Sequence, residues 1–92
     1  MNSIKGKDAP MALGDAIEEM KNGNRVQRRG WNGKGMFIFI VAGDSWDFET
    51  DINGVDNLGT QSFICMKTAD DQLIPWLASQ ADIMAEDWQI AP

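Results

Sequence analysis

Leu13, Ala16, Ile17 and Met20 recur at the spacing of one helical face, and this periodicity predicts a helix from Met11 to Asn22. Asp15, Glu18 and Glu19 fall early in that segment and Lys21 falls late, the order that suits the helix dipole. Asn22-Gly23 supplies its stop. Arg25–Arg29 reads as a short strand. Met36–Val41 is apolar on both faces, which predicts a central strand. The polar, acidic stretch from Gly43 to Thr60, interrupted by Gly54 and Gly59, reads as a long loop or irregular hairpin carrying Trp46 and Phe48. Gln61–Thr68 is a further strand, Ala69–Gln72 a turn, and Leu73–Trp76 an extended segment that Pro75 assigns to an edge or a strand end. Ser79–Met84 forms a helical turn and Asp87–Ile90 a closing strand. Residues 1–10 read as a flexible polar lead, and 11–92 as one domain. The sequence therefore predicts a small α+β domain: an N-terminal helix, a predominantly antiparallel sheet and a short C-terminal helical turn.

Ninety-two residues allow a single small core, and a hydrophobic content of 43% with four tryptophans argues for a folded globule. So short a chain has little room for a pocket of its own, so a ligand-binding protein of this size is expected to form homo-oligomers. The net charge of −6 is unevenly spread. Residues 1–36 hold seven of the eight cations against four acids, whereas residues 37–92 hold Lys67 against ten. Long nucleic acid, which demands many phosphate contacts, is a poor partner for such a chain; one or two phosphates suit its local basic patch. A single cysteine, Cys65, excludes an intramolecular disulfide and points to a reducing compartment. No apolar run reaches the length of a membrane span, and the N-terminus lacks the apolar region of a signal peptide, so a cytosolic protein is expected.

The candidate chemistry lies in Arg28-Arg29-Gly30-Trp31-Asn32-Gly33-Lys34-Gly35-Met36. Its glycines let the main chain approach a ligand closely, Trp31 offers a stacking face with one N–H donor, and Arg28, Arg29 and Lys34 offer charge for phosphate. The same segment is also compatible with a charged hairpin turn whose tryptophan packs into the core. Lys67-Thr68 with Trp76, Ser79 and Gln80 form a second polar–aromatic cluster, in which Trp76 is able to stack on a base and Ser79 and Gln80 to hydrogen-bond a base edge or ribose. Alternatively Ser79 caps a helix and Trp76 is core; Trp88 is read as core, and Met20, Met66 and Met84 as core filler. The chain has no histidine, so the commonest general base is absent, as are Ser–His and Cys–His dyads and the usual zinc ligands. Asp51-Ile52-Asn53-Gly54 departs from the EF-hand order and reads as a solvated loop. No cofactor, no metal and no catalytic residue is expected.

Four blocks carry a family resemblance: Gly14-Asp15-Ala16-Ile17, Arg29–Phe37, Met66–Asp70, and Pro75–Asp82 with Glu86-Asp87-Trp88. Over about Met11 to Ile90, the chain resembles the second Thoeris anti-defence family of small phage and prophage proteins; residues 44–60 match no family block. Thoeris is a bacterial anti-phage system in which a TIR-domain protein makes a cyclic ADP-ribose isomer that activates an effector. The resemblance implies a homotetramer in the cytoplasm of the infected host. It implies tight binding of glyco-cyclic ADP-ribose without cleavage, some members also taking cyclic oligonucleotides. Carried over to this chain, it implies that Trp31, Asn32 and Gly33 sit at the ligand, with Arg28, Arg29 or Lys34 near its pyrophosphate. Trp76, Ser79 and Gln80 would form the opposite wall. An enzyme degrading the same signal and a single-strand nucleic-acid accessory protein are the alternatives.

Overall fold

The structure, a computed structural model, describes residues 10–31, 35–47, 50–55 and 58–92. The expected lead, apart from Pro10, lies outside the described residues, as do Asn32, Gly33, Lys34 and Phe48. Helix α1 (Leu13–Lys21) is followed by β1 (Val26–Arg28), β2 (Phe37–Val41), β3 (Phe63–Lys67), β4 (Leu73–Pro75), α2 (Gln80–Met84) and β5 (Trp88–Ile90). The strands form one sheet in the order β4-β3-β2-β1-β5, antiparallel at every pairing. The fold is α+β, and β2 occupies the middle as its doubly apolar pattern predicts. Pro75 lies on the edge strand β4, where the N–H it lacks is not needed by a second neighbour.

Helix α1 is shorter at its start than its apolar periodicity suggests. Met11 is drawn instead into a bridge with Trp88, its N–H donating to the Trp88 carbonyl at 2.8 Å and its own carbonyl accepting at 3.0 Å. The helix ends as a Schellman turn: Gly23 N–H donates to Met20 and Asn24 N–H to Glu19, both at 3.0 Å, with Gly23 at φ 92°.

Ala16 and Met20 of α1 pack with Val26, Ile38, Met66 and Trp88, one from each of β1, β2, β3 and β5. The opposite sheet face follows from the pleat: Gln27, Phe37, Phe39, Cys65, Lys67 and Gln89 alternate with those core residues. Trp88 is fully buried, as read from the sequence. Met20 and Met66 are core, but Met84 is 76% exposed, which corrects its reading as core filler. Helix α2 has only five residues and none is buried; polar bonds at its start anchor it.

Candidate functional site

Strand alternation separates the two adjacent arginines. Arg28 shares the face of Val26, whereas Arg29 points the other way and donates from Nε to Gln89 Oε1 at 3.4 Å. Arg28 is held between two carboxylates. Its Nε donates to Asp87 Oδ1 at 2.9 Å and its Nη1 to Asp82 Oδ1 at 3.0 Å. The Asp87 bond, then the Asp82 bond, raises the Arg28 pKa further above its already high ordinary value.

The two acids do more than neutralise Arg28. Asp87 Oδ2 accepts from Gly30 N–H at 3.1 Å, and the Asp87 carbonyl accepts from Arg29 N–H at 3.0 Å, so one residue fixes the entry to the glycine-rich block. Asp82 Oδ2 accepts from Ser79 N–H at 3.0 Å, and its carbonyl accepts from Trp88 Nε1 at 3.2 Å. The Arg28 bond holds Asp87 below the ordinary carboxylate pKa. For Asp82, burial pushes upward, but the bonds from Ser79, Arg28 and Trp31 outweigh it and lower the pKa.

The far end of the block is tied by Lys67, whose Nζ donates to the Gly35 carbonyl at 3.1 Å and pairs with Asp71 at 2.8 Å. On the open sheet face, the Arg25 guanidinium lies 4.7 Å from the Phe37 ring centroid and Lys67 Nζ 5.8 Å from it. Around this trio opens a cavity of about 440 Å³, lined among others by Arg25, Gln27, Arg29, Trp31, Phe37 and Lys67. It brings positive charge and aromatic faces together in a chain whose net charge is −6.

Of the residues singled out from sequence, Arg28, Arg29 and Trp31 line this cavity, while Asn32, Gly33 and Lys34 lie outside the described residues. Trp76, Ser79 and Gln80 do not line it. Trp76 packs edge-on against Trp88 with centroids 5.9 Å apart, and Ser79 caps α2, its hydroxyl accepting from Asp82 N–H at 3.1 Å. The two segments are nevertheless linked, because Trp31 also meets Trp88 edge-on, at 5.3 Å. Sequence reasoning missed Arg25, Gln27 and Phe37, and it grouped Lys67 with the Trp76–Gln80 cluster, whereas the structure sets it on the cavity beside the glycine-rich block. The alternation Arg25, Gln27, Arg29 carried a signal for two of them; Phe37 and Lys67 join through the β2–β3 register, in which they are direct partners.

A sequence model of the Thoeris anti-defense 2-like domain matches residues 11–91. Thoeris anti-defense 2 of Bacillus phage SP01 is 39% identical over 83 residues, covering 87% of this chain and 93% of that protein.

Proposed function

The chain belongs to the Thoeris anti-defense 2-like family, and from that membership and the cavity we propose that it is a phage anti-defence protein that binds a cyclic ADP-ribose-type immune signal and sequesters it intact. The observation that supports this reading most directly is the convergence of Arg25, Arg29 and Lys67 with Trp31 and Phe37 on one cavity of about 440 Å³. That size lies within the range of about 300–1,000 Å³ common to small-molecule sites. Cations and flat rings together suit a ligand with a pyrophosphate and a base. Arg29 and Arg25 serve the phosphates, and Trp31 the base. Asn32, Gly33 and Lys34 of the glycine-rich block are further candidate ligand contacts, as are Trp76, Ser79 and Gln80 outside the cavity's lining.

Sequestration without turnover fits a chain that contains no histidine. Removal of the signal by mass action needs only affinity and abundance, and each tenfold gain in affinity corresponds to about 1.4 kcal/mol. The site of action is the host cytoplasm, where the signal is made. Residues 11–92 form the binding domain, and the assembly is a homotetramer. Leu73, Leu77 and Met84 are 66%, 91% and 76% exposed, surface that subunit contacts would cover. No helix among the described residues is long and apolar enough to cross a membrane.

The test is a calorimetric titration with glyco-cyclic ADP-ribose and with cyclic oligonucleotides, followed by heating and chromatography of the released ligand. Intact ligand recovered in stoichiometric amount supports sequestration. New products point to an enzyme that degrades the signal. No binding of cyclic nucleotides, with salt-dependent binding of an oligonucleotide, points to a single-strand accessory protein. Light scattering of the same sample gives the subunit number.

A further inference from the structure

We infer that Lys67 is a positioning residue for the ligand cavity: it acts through the Gly35 carbonyl, tying the exit of the glycine-rich block to the β3–β4 turn, and makes no contact with the ligand's phosphates. The inference rests on the proposed reading of the cavity as the ligand site. An ammonium carries three protons. Lys67 Nζ has three protein oxygens to meet them: the Gly35 carbonyl at 3.1 Å, the Thr68 carbonyl at 3.2 Å and Asp71 Oδ1 at 2.8 Å. No proton is left for a phosphate unless one of these is given up, and Asp71 already neutralises the charge. Arg25 and Arg29 differ. Among the described residues they meet neutral oxygens, of Pro92 and Gln89, so their charge is free to attract an anion.

The turn that Lys67 holds is closed by bonds of its own. Thr68 N–H donates to the Gln72 carbonyl at 2.8 Å, Gln72 N–H to Thr68 Oγ1 at 3.0 Å, and Asp71 N–H to the Thr68 carbonyl at 3.1 Å. Asp71 sits at φ 65°, a left-handed conformation that aspartate and asparagine adopt more readily than most residues. The turn is a fixed post. On the block's side, Gly35 is at φ 78°, and a Cβ there would stand 3.4 Å from Lys67 Nζ, so the ammonium lies against bare backbone. The other end of the block is fixed in the converse sense, its Gly30 N–H donating to Asp87 Oδ2 at 3.1 Å. An acceptor at the entry and a donor at the exit therefore set where Trp31, Gly35 and Met36 stand on the cavity wall.

The test compares Lys67→Met, Asp71→Asn and the double variant, each checked as folded by circular dichroism, in titrations with glyco-cyclic ADP-ribose over a range of salt. Methionine keeps the apolar stem and removes the ammonium, and asparagine keeps the left-handed turn and removes the charge. Lys67→Met lowers affinity by about tenfold. Asp71→Asn lowers it by about threefold at roughly 0.5 M salt, where long-range attraction of the anion is screened, because the clamp loses an anchor. The double variant keeps the wild-type net charge; it loses about tenfold in affinity, and its salt dependence stays that of the wild type. In the ligand-free protein the amide nitrogen resonance of Met36, whose peptide group contains the Gly35 carbonyl, moves in all three variants.

Unchanged or tighter binding by Asp71→Asn at that salt, or a weaker salt dependence in the double variant, overturns the inference, since a lysine that met the phosphate itself would gain from losing its counter-charge. Wild-type affinity in Lys67→Met overturns it as well. If the two variants at Lys67 do not fold, Asp71→Asn decides by the sign of its effect. If the unmodified protein binds no glyco-cyclic ADP-ribose, the proposed function fails by itself. The Met36 resonance then still decides whether Lys67 holds Gly35, and an unmoved resonance overturns the inference.

Discussion

Trp31 meets Trp88 edge to face, with ring centroids 5.3 Å apart and planes at 81°. Trp88 receives Trp76 in the same manner, at 5.9 Å and 88°, and is itself fully buried. One core indole therefore supports two partly buried indoles from segments about forty-five residues apart in the chain. Trp88→Ala is expected to cost about 3–5 kcal/mol in denaturant unfolding, the range for removing a large buried aromatic. Its near-UV circular dichroism should lose the signal of Trp31 and Trp76 together, because both rings lose the same neighbour.

Arg28 and Arg29 are adjacent in sequence and opposite in role. Arg28 faces Asp82 and Asp87 and is 22% exposed, so Arg28→Ala leaves two carboxylates without their cation. It should cost about 1–3 kcal/mol of stability, as for a charged hydrogen-bonded group removed from a partly buried site. Arg29→Ala should change stability by less than about 0.5 kcal/mol, the usual effect of a surface substitution. In titrations with glyco-cyclic ADP-ribose the Arg29 variant should lose about tenfold or more in affinity, and its remaining binding should depend less on salt.

The same pair shows how far the sequence can be read. The apolar patterns placed α1 and the central β2, because each is a local pattern that survives folding, and the missing N–H of Pro75 placed it at an edge or a strand end. The glycine-rich block was legible as a candidate site from its composition alone. Which of the two neighbouring arginines pairs with Asp82 and Asp87 was not, since that depends on where β1 begins, and a shift of one residue exchanges the faces. Arg25 and Gln27 were open to the same alternation argument. Lys67 was legible as a candidate but not as a neighbour of the glycine-rich block, because it reaches Gly35 and Phe37 only through a strand pairing between residues thirty positions apart. Met84 was misread because a five-residue helix can be held by its cap and never bury an apolar stripe.

Acid should weaken the tie between Asp82, Asp87 and Arg28. Both carboxylates are held below the ordinary aspartate value of about 3.9, Asp87 chiefly by its bond to Arg28, and Asp82 because its bonds outweigh burial. The unfolded chain therefore takes up protons on these groups at higher pH than the folded one. Their stabilisation is fully present above that ordinary value and is lost as pH falls through the lower folded-state values. Thermal unfolding should show Tm falling below about pH 4, with a shallower fall in the Asp82→Asn and Asp87→Asn variants.

Gly43 marks the point where β2 hands over to the long acidic segment, and its backbone lies against the returning chain. Gly43 N–H donates to Ser62 Oγ at 2.9 Å, and Asp44 N–H donates to the Thr60 carbonyl at 3.1 Å. A Cβ at position 43 would stand 2.7 Å from the Thr60 carbonyl oxygen and 3.0 Å from both Gln61 Cα and Ser62 N. All three neighbours are backbone atoms, so a side-chain rotation cannot make room and the two strands of chain must part. Gly43→Ala is expected to cost about 1–3 kcal/mol, the usual range for overpacking a close contact. The damage should stay local to this root. Trp46 donates from Nε1 to the Gln61 carbonyl and packs edge-on against Phe63 at 5.3 Å, so its indole resonance should shift and exchange faster with solvent. The Trp31 and Trp88 resonances, on the far side of the sheet, should stay where they are.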